Sequence, residues 1–197
     1  MSETIFRVLL PVILLAFMAH RGYYVKKHSQ PDDVSLKKRE EGVVSKLAGL
    51  LGIVGFVSML TYVINPNWLS WATLSFPSWL RWTGIAIALT GFALLQWAQT
   101  TLGKSWSDTP RMMIEQTLIT DGPYRIVRHP IYTAFIFILG STLPISANWL
   151  IGLTWIGMAI LEIVSRIHFE ENLMLEYFGD QYREYMNRTG RLLPKLI

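Results

Sequence analysis

The feature that most constrains this chain is a series of apolar runs, residues 5–24, 47–64, 79–102, 131–143 and 149–165, separated by polar segments. At a rise of about 1.5 Å per residue, a helix of roughly 20 residues covers a hydrocarbon core about 30 Å thick. Lipid offers no hydrogen bonds to a backbone, so each run must satisfy its own polar groups as a helix. The pattern predicts an all-α fold, a polytopic membrane helical bundle with five transmembrane helices. The fourth run is short for a full crossing and forms a helical hairpin with the fifth through residues 144–148. A composition of 51% hydrophobic and 16% charged residues suits this class.

Charge sets the expected orientation. Of 18 Lys and Arg, only Arg7 and Arg81 fall at the ends assigned outside. The positive-inside rule then places the N-terminus outside, and residues 21–46, residues 103–128 and the C-terminus in the cytosol. Residues 65–78 carry no Lys or Arg but hold Trp68 and Trp71, with Trp79 and Trp82 just beyond, as an outer loop at an aromatic belt does. The net charge of +4 thus reports topology rather than nucleic-acid binding. The basic cluster follows the first apolar run, with no small-x-small site before it, so that run reads as a retained helix rather than a signal peptide. Residues 1–197 read as one membrane domain, with three N-terminal helices in 1–101 and the functional half in 102–197. In the second run, Gly49, Gly52 and Gly55 suit close helix packing better than a lipid groove.

Several chemistries are excluded or unsupported. Cysteine is absent, which removes disulfides, a thiol nucleophile, thiolate metal sites and prenylation of the chain itself. His20, His28, His129 and His168 are scattered without a ligand frame such as H-E-x-x-H, so no metal is expected; His168 beside Glu170 and Glu171 is the nearest approach to one. No G-x-G-x-x-G or Walker sequence supports a Rossmann or P-loop site.

The polar stretch Asp121-Gly122-Pro123-Tyr124-Arg125-Ile126-Val127-Arg128-His129-Pro130-Ile131-Tyr132 lies between two apolar regions. Gly122-Pro123 makes a turn and Pro130 opens a helix. Before it, Gln116-Thr117-Leu118-Ile119-Thr120 is β-branched and extended in character, able to hydrogen-bond a flat ligand. After the hairpin, Glu162, Arg166 and Glu170 share one face of the exiting helix, and Glu171 adds a second carboxylate. The hairpin returns Arg166 to the depth of His129. Ionisable groups at such a depth are costly unless paired, and so are functional candidates. Beyond them, residues 172–193 read as a cytosolic amphipathic helix broken at Gly179.

These residues resemble the isoprenylcysteine carboxyl methyltransferase family of integral membrane enzymes. The likeness lies in the run from Gln116 to Tyr124, in Arg128-His129-Pro130-Ile131-Tyr132, in Arg166 with Glu170-Glu171, and in Phe178-Gly179-x-x-Tyr182, and spans about the C-terminal half. It implies transfer of the methyl group of S-adenosylmethionine to a carboxylate on a prenylated or otherwise lipophilic substrate, inside a helical bundle. By position, Gln116, Thr117, Leu118, Ile119, Tyr124, His129, Pro130, Ile131, Tyr132, Glu170 and Glu171 would bind the cofactor. Arg166 would bind the acceptor, and Arg166 and Glu170 would act in catalysis. Ile167-His168-Phe169 stands where eukaryotic members carry a longer acidic run. The expected partners are the lipophilic substrate and membrane lipid, without metal or nucleic acid, for a chain acting as a monomer.

Three other readings fit parts of this pattern. A phospholipid amine N-methyltransferase would use Glu170 or Glu171 as base, but Arg166 is unhelpful near a cationic headgroup. A membrane sterol reductase would use NADPH. A non-enzymatic membrane scaffold would bind neither cofactor.

Overall fold

The structure is a computed structural model that describes residues 2–28, 42–103 and 117–195. The basic loop after the first helix and Gln116 lie outside the described residues. Among the described residues seven α-helices follow in order: α1 (Ser2–His28), α2 (Val43–Ile64), α3 (Ser78–Leu102), α4 (Pro130–Gly140), α5 (Thr142–Ser146), α6 (Trp149–Phe178) and α7 (Asp180–Arg188). Among the described residues there is no β-strand, only two isolated bridges. The fold is an integral membrane helical bundle. Helices α1, α2, α3 and α6 are long and apolar enough to cross a bilayer. The apolar stretch Pro130–Ser146 is shorter, about 25 Å at 1.5 Å per residue. Of the five crossings expected from the sequence, four have helices of spanning length among the described residues, and the fourth in order corresponds to this shorter piece.

The break between α4 and α5 has a local cause. The hydroxyls of Ser141 and Thr142 donate back to the carbonyls of Ile138 and Leu139, both at 2.6 Å. Pro144 has no N–H to donate to the preceding turn, so the helical hydrogen-bond ladder is interrupted between α4 and α5. The hairpin connection, expected over residues 144–148, contracts to Ala147 and Asn148 because residues through Ser146 stay helical. Ala147 takes the left-handed conformation at φ 48°, and the Asn148 side chain caps α6 by accepting from the Ile151 N–H.

At the same end, the 3-10 turn Pro66–Ala72 docks on this hairpin. Leu74 N–H donates to Ala147 O at 2.7 Å, Asn148 Nδ2 donates to Leu69 O, and Trp71 meets Trp149 edge to face. Arg81, only 7% exposed, closes that end from within. It pairs with Glu3 of α1, donates to Tyr62 Oη of α2 at 2.8 Å and to Ile145 O of α5 at 3.0 Å, and lies over the Phe6 ring. A charge buried this far must be matched, and here one guanidinium ties four helices.

The core is built from Phe6, Leu10 and Leu14 of α1, Leu95 of α3, Ile138 and Leu139 of α4, and Ile151 and Trp155 of α6. Small residues let the backbones approach. A Cβ at Gly91 would lie 2.7 Å from Ile138 Cγ1 and 3.1 Å from the Ala134 carbonyl. At Gly52 it would lie 2.9 Å from Met158 Sδ, whereas at Gly49 it would meet nothing within 4 Å. The glycines of α2 thus divide: Gly52 and Gly55 serve packing on α6, while Gly49 opens onto a cleft. Gly91→Val should lower the thermal stability of the detergent-purified protein by about 1–3 kcal/mol through overpacking. Gly49→Ala should leave the melting curve in place, and equal losses in the two variants would contradict this division.

Candidate functional site

The polar end of the bundle is organised by the turn between α3 and α4. Residues 117–120 are irregular rather than paired as a strand, with Thr117 and Thr120 exposed and Leu118 and Ile119 half-buried. Gly122 opens the 3-10 turn Gly122–Arg125 at φ 56°, and a Cβ there would lie 2.8 Å from Thr101 Oγ1 and 3.2 Å from Trp97 Nε1. Only glycine meets both demands. The turn is thereby pressed against the end of α3, with Pro123 and Tyr124 buried. His129 then precedes Pro130, which occupies the first turn of α4 where its missing N–H costs nothing.

The C-terminal segment completes this wall. After α7, the chain turns back beside residues 127–129 in a short parallel pairing. Arg128 N–H donates to Gly190 O at 2.8 Å and His129 N–H to Arg191 O at 3.1 Å. Thr133 Oγ1 donates to Leu192 O, and Tyr185 Oη donates to Tyr124 O, both at 2.7 Å. Burial pushes the Tyr185 phenol up to about 12, against the opposing influence of Arg128 and the hydrogen bond with Thr189. Tyr124 is also held above the usual phenol range, first by burial and then by the nearby Tyr185 and Glu170.

An ionic hub locks these pieces to α6. Glu171 is 3% exposed. Its Oε1 accepts from Arg128 Nε at 3.0 Å and lies 3.4 Å from His129 Nε2, and its Oε2 pairs with Arg191. Arg128 donates further to the carbonyls of Thr189 and Met186. Glu170, one residue earlier, points differently: it accepts from the Tyr132 hydroxyl and lies 3.6 Å from His129 Nδ1. His129 stacks on Tyr132 with ring centroids 5.6 Å apart.

Beneath this wall lies an apolar cleft of about 580 Å³ between α1, α2, α4 and α6. Phe17, Gly49, Phe56, Leu139, Trp155 and Met158 are among its lining residues, and its polar groups are Arg21, Tyr132, Glu162 and Arg166. Arg166 Nε contacts Glu162 at 3.2 Å, one helical turn earlier.

The structure brings Tyr124, His129, Tyr132, Glu170 and Glu171 together, with Arg166 joined to them through the cleft that Tyr132 shares. Pro130 is fully buried and Ile131 packs on the core. Thr117, Leu118 and Ile119 precede the turn; Gln116 is outside the described residues. His168 is exposed, away from the hub. The sequence does not announce the roles of Arg128 and Arg191 as partners of Glu171. Their signal was only a count: two buried-side carboxylates invite more than one cation.

Residues 83–176 match the model of the isoprenylcysteine carboxyl methyltransferase family. The chain is 24% identical over 199 residues to protein-S-isoprenylcysteine O-methyltransferase B of Arabidopsis thaliana, covering 98% of this chain and 96% of that protein. It is 32% identical over 88 residues to methanethiol S-methyltransferase of Pseudomonas deceptionensis, spanning 44% of this chain and 32% of that one. The fold is similar to that of a solved eukaryotic intramembrane Ras methyltransferase, with a TM-score of 0.60 at 21% identity, over 92% of this chain and 66% of the other.

Removing Glu171 should leave Arg128, whose side chain is 8% exposed, without its carboxylate. Glu171→Ala is expected to cost about 3–5 kcal/mol, the usual consequence of breaking a buried pair from one side. The double variant Glu171→Ala/Arg128→Ala should cost less than the sum of the single changes, measured by denaturation in detergent; strict additivity would refute the hub. The Tyr185 tie has its own pH window. A phenol raised from its ordinary value of about 10 favours the fold fully below that value. Its contribution declines above pH ~10 and is lost as pH rises through about 12. Protease cleavage at Arg191 should therefore accelerate across that window, and release of the tail below pH 9 would contradict it.

Proposed function

We propose, from the match of residues 83–176 to the isoprenylcysteine carboxyl methyltransferase family, that the chain is a member of it and an S-adenosylmethionine-dependent methyltransferase that O-methylates the carboxylate of a prenylated cysteine or similar lipophilic acceptor. One observation carries this reading. The apolar cleft and the His129–Glu170 wall meet at a single side chain, Tyr132, which lines the cleft and donates to Glu170. A lipid tail on one side and a polar cofactor on the other would bring their reacting ends together there.

The residues fit the cofactor's chemistry. Glu170 offers a partly exposed carboxylate to a cationic ligand, and the stacked rings of His129 and Tyr132 offer aromatic surface beside it. Residues 117–120 belong to no helix or strand, so their backbone groups are suited to bonding a flat ring system. Glu171, by contrast, is engaged on both oxygens by arginines, and we assign it to positioning the wall rather than touching the cofactor.

When bound, S-adenosylmethionine supplies an electrophilic methyl group on a sulfonium. The acceptor carboxylate is already ionised at neutral pH, so the chain need furnish no general base. Arg166 orients that carboxylate through the planar fork of its guanidinium. Alignment of two held reactants supplies much of the acceleration. The grip must stay moderate, because the acceptor loses charge on the way to the transition state and a stronger hold on its ground state would raise the barrier. The low-polarity cleft keeps water away from the exchange.

We place this end of the bundle on the cytosolic face, since Arg21, Lys26, Lys27, Lys46 and Arg166 lie towards it and Arg7 and Arg81 at the other. The alternative acceptors are an amine headgroup and, given the S-methylating relative, a small thiol. The lipid-sized cleft and the arginine at its polar end favour the lipophilic carboxylate over both.

Calorimetry with S-adenosylmethionine and its demethylated product should show saturable binding, and its absence would sink the reading. Methyl transfer to a small prenylated cysteine should exceed transfer to phosphatidylethanolamine or methanethiol. Glu170→Ala should weaken cofactor binding, whereas Arg166→Ala should damage acceptor use, by about 10-fold or more for a lost charge-assisted bond. The reverse pattern would overturn both roles.

A further inference from the structure

The apolar cleft is bounded in depth as well as in width. Its lining residues fall within 14–21 of α1, 48–56 of α2, 132–139 of α4 and 155–166 of α6. Contacts between the helices set these intervals level with one another. Glu3 meets Tyr62, Phe17 meets Phe135, and Tyr132 meets Glu170, while Gly52 and Gly55 of α2 face Met158 and Trp155 of α6. Arg21, Ala48, Tyr132 and Arg166 therefore mark the polar end of the cleft, and Leu14, Phe56, Leu139 and Trp155 the opposite end. The interval on α6 is the longest, and at 1.5 Å per residue it gives a depth of about 16 Å.

The far end is closed by packing. Leu10, Ile145 and Ile151, which lie further from the polar end, are fully buried. A Cβ at Gly55 would stand 3.2 Å from Trp155 Nε1, so the α2 backbone is pressed onto the indole. The indole N–H is buried without a hydrogen-bond partner, and packing alone holds the ring across the cleft.

We infer that Trp155 gauges the length of the acceptor's lipid chain, admitting three isoprene units and stopping a fourth. This rests on the prenylated-acceptor reading above. An extended backbone advances roughly 3.5 Å over the three bonds of a residue, so an isoprene unit of four chain bonds spans about 5 Å. Three units then need about 15 Å and four about 20 Å, against a depth of about 16 Å. Ala159, buried on the same wall of the cleft, stands one turn, about 6 Å, nearer to Arg166. That step is close to one isoprene unit. A larger side chain at 159 raises the floor by that amount, and a smaller one at 155 lowers it. The chain is held alike before and during methyl transfer, so the gauge acts on KM rather than on kcat.

The test measures both constants at saturating S-adenosylmethionine for prenylated cysteines of two, three and four isoprene units. In wild type the three-unit acceptor should have a KM about 10-fold or more below that of the four-unit one, the scale on which a filled apolar pocket rejects added carbon. Trp155→Leu should remove that penalty, since it shortens the side chain without breaking a hydrogen bond. Ala159→Leu should move the optimum to two units, with kcat changed far less in either variant. If Trp155→Leu does not fold, the opposite shift in Ala159→Leu decides the matter. Equal KM for three and four units in wild type, an unchanged ranking in the variants, or an equal loss across all three lengths would overturn the inference. Failure of wild type to methylate any of the three acceptors would sink the functional reading itself, a result distinct from an active enzyme indifferent to chain length.

Discussion

The polar end of this bundle depends on one buried carboxylate. Glu171 faces Arg128, Arg191 and His129 at once, and those three residues belong to the turn before α4 and to the segment after α7. Taking such a group out of water is repaid only when its partners are well placed, and removing any one exposes the cost of the rest. Three stretches distant in sequence are therefore fixed by a single requirement of charge. The neighbouring Glu170 keeps a different set of partners, and the division of labour between adjacent glutamates follows from the helix, which turns successive side chains about 100° apart.

Much of the architecture was legible from the chain alone, because lipid imposes so few solutions. The apolar runs became helices, the last of them continued past the membrane, and Gly179 ended it as expected at φ 54°. The gathering of His129, Tyr132, Glu170 and Glu171 also followed from the hairpin. What escaped was specific pairing. Nothing in the spacing of Arg128 and Arg191, 43 and 20 residues from Glu171, announces that they share it. Likewise Arg81 and Glu3 are 78 residues apart, and only the packing of four helices makes them neighbours. The hairpin turn lies a few residues later than the sequence suggests, because Pro144 reads as a terminator, whereas α5 carries it inside and three more residues, 144–146, stay helical.

The two ends of the molecule solve the same problem differently. At one, Arg81 is neutralised internally by Glu3 and braced by Tyr62 and the Ile145 carbonyl. At the other, Arg21 and Arg166 face a cavity bounded largely by hydrocarbon. The first arrangement is closed and structural. The second borders an apolar cleft, which Gly49, with open space where a side chain would stand, also lines from α2.

Helix α6 runs unbroken over 30 residues, about 45 Å, from the Ala147 turn to Gly179. It therefore exceeds the hydrocarbon thickness of any ordinary bilayer and carries cleft and hub residues on the same rigid rod. A thinner or thicker membrane changes the tilt that such a rod adopts. A change of tilt thus carries Arg166, Glu170 and Glu171 together, altering their depth without disturbing their spacing.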